Sequence, residues 1–442
     1  MLIQDATLAD GRRRDVRVEG ERIAAVERRL SPRDDERIVD ADGKLLLPGM
    51  IDAHVHFREP GFPAKETWAS GSRAAAAGGV TTVVDQPNTE PPTIDRESFV
   101  EKTALAADSL VDFGISGGVT PDWNPDELLA EPLFALGEVF LADSTGEMGI
   151  DADLFADAVA AATDRGVAVT VHAEDADEFD ESVRPSGEDA GDGQRQGANE
   201  RTDADAWSAF RTPEAEHAAV ERACQVGEEL GSQLHIAHTS TPGGIDRAAE
   251  SGMTCEVTPH HLLLSRDDLP ELGTFGRMNP PLRSEQRREE VFERVTDGTV
   301  DIVATDHAPH TRVEKDAGIW DAPSGVPGVE TALPLLLAEA REGRLSYERV
   351  RDLTAATPAA VFDLPRKGRV EGGKDADLAL FDPDATHEIR GEELHSKAGW
   401  TPFEGWDGIF PEWTMVRGET VYRNDGNEEF GDARGENVRS GE

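Results

Sequence analysis

Two histidines separated by one residue, in Met50-Ile51-Asp52-Ala53-His54-Val55-His56, have the type and spacing of a metal grip. Strand side chains alternate from face to face, so His54 and His56 project together while Val55 packs away from them. Four more residues of ligating type stand at the ends of apolar runs: Glu138, His172, His238 and Asp306. A single histidine in such a place is more often hydrogen-bonded core than ligand. Four histidines and two carboxylates, each at a strand terminus, reverse that expectation. Such a donor set suits one or two zinc-like divalent ions, with manganese or cobalt fitting the same groups. Two ions about 3.5–4 Å apart, held by a bridging group, acidify a shared water enough to supply hydroxide at neutral pH. The expected chemistry is hydrolysis. Asp306 is placed to be the last ligand and the shuttle that moves a proton from the attacking water to a leaving nitrogen; service as a ligand alone is its plainer role.

Residues this far apart can meet only if the fold gathers strand ends. Strand-like runs fall at 50–56, 80–85, 111–116, 136–142, 167–172, 233–238, 253–258 and 300–306, with helical patterns at 65–77, 95–107, 151–164, 213–229 and 285–297. The alternation predicts an α/β fold, a (β/α)8 barrel over 49–362, whose active face lies at the strand ends; a doubly wound sheet gives a similar local pattern. Short strands at 1–48 and 363–425 are too few to bury a core separately and predict one small β-sandwich domain formed by both chain ends. The stretch 175–206, charged and without periodicity, reads as an excursion over the barrel mouth. Residues 426–442, acidic and Gly-rich, read as a disordered tail.

The 442 residues carry 89 acidic against 44 basic side chains, a formal charge of -45, and only seven of the bases are lysine. Clustered cations for phosphate contacts are lacking, which argues against nucleic-acid binding, while a small anionic substrate needs a local arginine to override the field. Such composition resembles that of salt-loving microbes, and a halophilic archaeon is the expected source. Two cysteines, Cys224 and Cys255, make no disulfide framework. No run is long enough to span a membrane and no signal peptide is recognisable, so a cytoplasmic location is expected.

The motifs His54-Val55-His56-Phe57-Arg58-Glu59-Pro60-Gly61, Gln86-Pro87-Asn88-Thr89, Val171-His172-Ala173-Glu174, His235-Ile236-Ala237-His238-Thr239, Asn279-Pro280-Pro281-Leu282-Arg283 and Ala304-Thr305-Asp306-His307-Ala308-Pro309-His310, in this order, resemble the dihydroorotases of the amidohydrolase superfamily. The resemblance implies reversible cyclisation of N-carbamoyl-L-aspartate to (S)-dihydroorotate, the third step of pyrimidine synthesis. It implies that His54, His56 and Asp306 bind one zinc and His172 and His238 the other. It further implies that Arg58 and Asn88 bind the substrate carboxylate with help from His310, that Asn279 contacts the ring amide, and that the loop holding Pro323, Gly325, Pro327 and Gly328 touches the ring. An arginine fork suits a carboxylate on physical grounds as well. An allantoinase or hydantoinase, or a silent homologue partnering a pyrimidine enzyme, are the alternatives; assembly as a homodimer or homotetramer stays open.

Many relatives bridge their metals with a carbamylated lysine, yet no lysine lies between Lys102 and Lys315. Glu138 occupies the matching position and is expected to bridge directly, with Asp143 as its competitor. His235 should be a satisfied structural histidine, His260 and His261 rim supports, and His307 a group that orients ligands. Arg211 either supports the metal histidines or simply precedes a helix capped by Thr212 and opened by Pro213.

Overall fold

The computed structural model describes residues 1–141, 148–185, 201–424 and 426–440. Its centre is eight parallel strands in chain order: Met50–Val55, Val80–Asp85, Asp112–Ile115, Ala135–Leu141, Ala168–Ala173, Leu234–Ile236, Thr254–Val257 and Ile302–Val303. The first three pair in one ladder and the last five in another. Bridges between Gly117 and Leu136 and between Val55 and His307 join the two ladders into a ring. The His56 N–H donates to the His307 carbonyl at 2.8 Å, which sets the first pair of candidate ligands beside the last. The expected (β/α)8 barrel is therefore present.

The helices begin where the sequence supplies caps. Thr67, Asp95, Asp151, Thr212 and Ser284 each accept the backbone N–H three residues on, opening Trp68–Ala77, Arg96–Leu105, Ala152–Arg165, Pro213–Leu230 and Glu285–Asp297. Two further helices complete the alternation, Pro242–Glu250 and Ala332–Arg341. Their Gly-Gly start and continuous apolar character, respectively, hide the helical period. The sixth and eighth strands are shorter than the apolar runs suggest, because the chain turns to positive φ at His238 (32°) and Asp306 (45°). Non-glycine residues take such geometry only where their surroundings enforce it.

The two chain ends build one nine-stranded mixed sheet around Ile3, Val16, Ile23, Leu46, Leu378, Leu380, Trp413 and Met415. Strand Leu378–Phe381 pairs antiparallel with Leu45–Pro48, the strand that runs straight into the first barrel strand. Residues 389–406, assigned above to the small domain, lie instead against the barrel: Trp400 Nε1 donates to the His310 carbonyl at 2.8 Å. No helix among the described residues is long and apolar enough to cross a membrane.

The expectation of a disordered tail from 426 needs correction. Glu428–Phe430 adds an edge strand to Glu419–Asn424, and Phe430 stacks on Tyr422 and His395 with ring centroids 5.3 and 4.9 Å away. Farther on, Gly435 N–H and Val438 N–H donate to the carbonyls of Ser109 and Phe113. Backbone pairing orders this segment despite its few apolar side chains, and composition does not report backbone pairing. His395 links the tail to the barrel, with Nδ1 2.8 Å from Glu330 Oε1 and Nε2 3.0 Å from Glu428 Oε2. Burial alone would depress this imidazole, but hydrogen bonds and charge from Glu330 and Glu428 outweigh it and raise its pKa to about 9. A raised folded-state pKa contributes stability that is fully present below the unfolded value and is lost as pH rises through the folded one. Calorimetric scans from pH 7 to 10 should show the parent losing part of its melting-temperature advantage over His395→Gln through about pH 9.

Candidate metal centre

Six side chains from five of the barrel strands converge on one point of the barrel mouth. His54, His56 and Glu138 form one set whose ligand atoms lie within 4.8 Å of one another, and Glu138, His172 and His238 form a second. Glu138 belongs to both. Its Oε1 lies 2.7 Å from His172 Nδ1 and 2.6 Å from His238 Nε2, while its Oε2 faces His54 Nε2 at 3.4 Å and His56 Nε2 at 3.9 Å. Asp306 Oδ1 completes the first set at 3.0 Å from His56 Nε2 and 3.6 Å from His54 Nε2. Asp143 lies outside the described residues. Gly137 makes the approach of Glu138 feasible: its φ is 140°, and a Cβ there would sit 1.8 Å from Thr170 Oγ1.

The donors fit a pair of divalent cations. His54 Nε2 is buried without a hydrogen-bond partner and is aimed into the cluster. Burial would raise the Glu138 carboxyl, yet the charges of His238 and His54 and the hydrogen bonds from His172 and His238 hold it well below the usual carboxylate range. Burial likewise opposes charge on His54, but Glu138 and Glu256 hold its imidazole well above the usual range. Without cations, protons take their place, so metal binding must displace protons.

A surrounding layer fixes each ring. His54 Nδ1 lies 2.7 Å from Glu256 Oε1, and Glu256 Oε2 lies 3.1 Å from His235 Nε2. His235 is thus satisfied, as expected, yet it reaches the centre through one carboxylate. His56 Nδ1 meets Asn88 Oδ1 at 2.7 Å, which leaves Nε2 for the metal side and turns the Asn88 amide nitrogen outward. Arg211 Nη2 donates to Glu174 Oε2 at 2.5 Å, and the same oxygen is 3.4 Å from His172 Nε2. Arg211 therefore supports a histidine of the centre, and it also precedes the helix that Thr212 caps. Asp52 accepts from Thr305 N and Oγ1 at 2.9 and 2.6 Å, tying the first strand to the residue before Asp306; burial lifts its pKa to about 6. His307 turns away from the centre: its Nδ1 accepts from Gly328 N at 3.0 Å, and its Nε2 faces Glu66 at 3.4 Å. His261 spans Thr258 Oγ1 and the Pro280 carbonyl, at 2.9 and 2.8 Å, and so supports the segment that carries Asn279. His260, buried beside it, is pushed by burial to about 4.

A cavity of ≈ 360 Å³ opens onto the centre, and Arg58, Asn88, Asn279, His310, Pro323 and Gly325 all stand on its wall with His56, Glu138, His172 and Asp306. Pro327 and Gly328 are not on that wall, a correction to the expected ring-contacting loop. Two bridges, Ala308 N to the Val326 carbonyl and Gly328 N to His307, pull that end of the loop back into the barrel. Arg58, at φ 65°, is buried; its Nε donates to the Pro309 carbonyl at 3.3 Å, and its Nη2 lies 3.3 Å from His310 Nε2.

Other wall residues escaped the sequence reading. The Arg277 guanidinium lies 3.7 Å from the centroid of the Trp207 ring and donates to Ile319 O and Ser324 Oγ at 2.5 and 3.2 Å. Arg277 and Asn279 are two apart, and that period-2 spacing before the Pro-Pro pair was the available signal. Behind the wall, buried Lys315 donates to the carbonyls of Arg277, Pro323 and Gly325 at 2.9, 3.0 and 3.1 Å. No periodicity betrays a lysine placed this way.

Residues 45–421 match the family model described as the amidohydrolase family. The chain belongs to the amidohydrolase family. As an amidohydrolase it is a metal-dependent hydrolase, and it is 65% identical over 426 residues to the dihydroorotase of Halobacterium salinarum, covering 96% of this chain and 97% of that one. The dihydroorotase of Methanosarcina acetivorans is 43% identical, over 93% of this chain and 89% of its own. The L-hydantoinase structure from Arthrobacter aurescens superposes with a TM-score of 0.90 at 27% identity, covering 98% of each chain. Because Glu138 serves both ligand sets, Glu138→Gln should lower bound metal from two ions per chain to one or none. Elemental analysis of protein dialysed against a weak chelator measures this.

Proposed function

We propose that this amidohydrolase is a dihydroorotase, interconverting (S)-dihydroorotate and N-carbamoyl-L-aspartate. The observation that carries the proposal is the buried, nearly unpartnered guanidinium of Arg58 on the same cavity wall as Asp306 and the shared Glu138. In a protein of charge -45, a buried cation beside the centre whose near contacts are a carbonyl and an imidazole rather than a carboxylate suits a bound anion. The relatives named dihydroorotase agree with that chemistry. Zinc is the proposed ion, since four imidazoles with carboxylates form its usual donor set.

Two bound divalent ions supply Lewis-acid activation of water and of the ring carbonyl. The chain's own groups do the rest. Arg58 and the Asn88 amide hold the substrate carboxylate, and Asn279, fixed by Trp207 Nε1 at 3.0 Å from its Oδ1, faces the ring amide. Asp306 turns Oδ1 toward His56 and His54, leaving Oδ2 to take the proton of the attacking water and deliver it to the ring nitrogen as the carbon–nitrogen bond breaks. Cyclisation runs the same proton path backwards. Burial opposes its charge, but the hydrogen bond from His56 and the nearby imidazoles hold the Asp306 carboxyl below its ordinary value, so it begins the hydrolytic direction as a base.

The likeness to hydantoinases favours a second reading, hydrolysis of a ring without the acid group. Purified protein with quantified metal, assayed in high salt on dihydroorotate beside allantoin and hydantoin, separates them. Dihydroorotate should dominate, and faster turnover of hydantoin or allantoin overturns the proposal. Arg58→Met should raise KM for dihydroorotate by roughly 10–100-fold, as expected for losing a charged hydrogen bond of about 1.5–3 kcal/mol. Asp306→Ala should lower kcat by about 10²–10⁴-fold, the usual worth of a general acid–base, with metal content measured alongside.

A further inference from the structure

Lys65 is not part of the centre, yet its Nζ lies 3.2 Å from His310 Nδ1 on the cavity wall. An ammonium has three donors and no lone pair, so His310 Nδ1 must be the acceptor. In a neutral imidazole the proton then sits on Nε2, and that nitrogen is 2.9 Å from the Ser324 carbonyl, which accepts it. Burial and the charges of Arg58, Lys65 and Lys315 hold the His310 imidazolium far below its ordinary range, so the ring is neutral.

Arg58 gives this tautomer its consequence. Arg58 Nη2 is 3.3 Å from His310 Nε2, and with a proton on Nε2 two donors face each other across that gap. His310 spends its one N–H on the Ser324 carbonyl and offers Arg58 no lone pair, so the Arg58 Nη2 donor is left for an anion. In the opposite tautomer Nε2 would be a lone pair, Arg58 would donate to it and be withdrawn from the cavity, and the Ser324 carbonyl would lose its donor. We infer that Lys65 is a positioning residue that fixes the His310 tautomer, so that His310 holds the Ser324 carbonyl and leaves the Arg58 Nη2 donor free for a substrate carboxylate.

This inference rests on the dihydroorotase reading for the identity of the carboxylate, and the tautomer itself can be measured without substrate. Lys65 also pairs with Glu314 Oε1 at 2.9 Å, so a merely structural role must be separated. In the metal-loaded full chain, Lys65→Met should raise KM for dihydroorotate about tenfold or more with kcat changed less than about threefold, in line with one lost charged hydrogen bond. Lys65→Arg, which keeps a donor-only cation, should recover most of the loss, and Glu314→Gln should leave KM within about twofold. In a His310→Asn background, whose amide has no tautomer to select, Lys65→Met should add nothing further. An unchanged KM in Lys65→Met, equal effects of Lys65→Met and Glu314→Gln, or effects that multiply with His310→Asn overturn the inference. Nitrogen NMR of the parent labelled at its histidine rings, with His310 assigned by its loss in His310→Asn, should show the proton on Nε2. A proton on Nδ1 overturns the inference even if Lys65→Met fails to fold. Absence of dihydroorotate turnover by the parent is the failure of the dihydroorotase reading, and the NMR result stands apart from it.

Discussion

An ionised carboxylate set among four imidazoles at the mouth of a closed barrel is the constraint that the rest of the structure serves. Glu138 contacts His172 and His238 through one oxygen and faces His54 and His56 through the other. Buried charge of this kind is costly unless it is compensated. The compensation required here is cationic, which suits the arrangement to a pair of divalent cations. Gly137, Asp52, Glu256 and Glu174 are explained by that requirement: each allows or holds one approach to the shared carboxylate.

The same economy governs the rare cations of this acidic chain. Three of the seven lysines, Lys102, Lys315 and Lys367, are buried. Lys102 pairs with Asp85 at 2.6 Å below the first loop, and Lys367 with Asp112 and Asp377 at 2.8 and 2.5 Å between barrel and terminal sheet. Lys315 knits the loop that walls the cavity. At these buried positions low dielectric strengthens each pairing, a gain that surface cations lose to screening. Arg58 and Arg277 stand on the cavity wall, and Lys65 stands behind it against His310.

The expected excursion lies outside the described residues from 186 to 200, and its described flanks, 175–185 and 201–210, pack beside the cavity. Phe179, Trp207 and Phe210 pack on Ile319 and Trp320, and Trp320 Nε1 donates to the Arg201 carbonyl at 2.8 Å. Arg277, stacked on Trp207 and bonded to the 319–324 segment, joins the 201–210 flank to the substrate wall.

Ligand identities were legible in the sequence because strand periodicity is local: two residues apart means one face, and the ends of parallel strands share one rim. His54, His56, Glu138, His172, His238 and Asp306 were singled out by that rule, whereas Arg58 was singled out by the family resemblance. The sequence could not show that Glu256 holds His54, that Lys65 addresses His310, or that Lys315 reaches three carbonyls, since these contacts join residues whose separation carries no period. Nor could it show that the acidic tail pairs along Ser109 and Phe113, because backbone hydrogen bonds are blind to side-chain composition. Sequence determined which chemistry this chain can perform; tertiary structure decided which groups are turned toward the substrate, since closing the ring of strands fixes the direction of every side chain at its mouth.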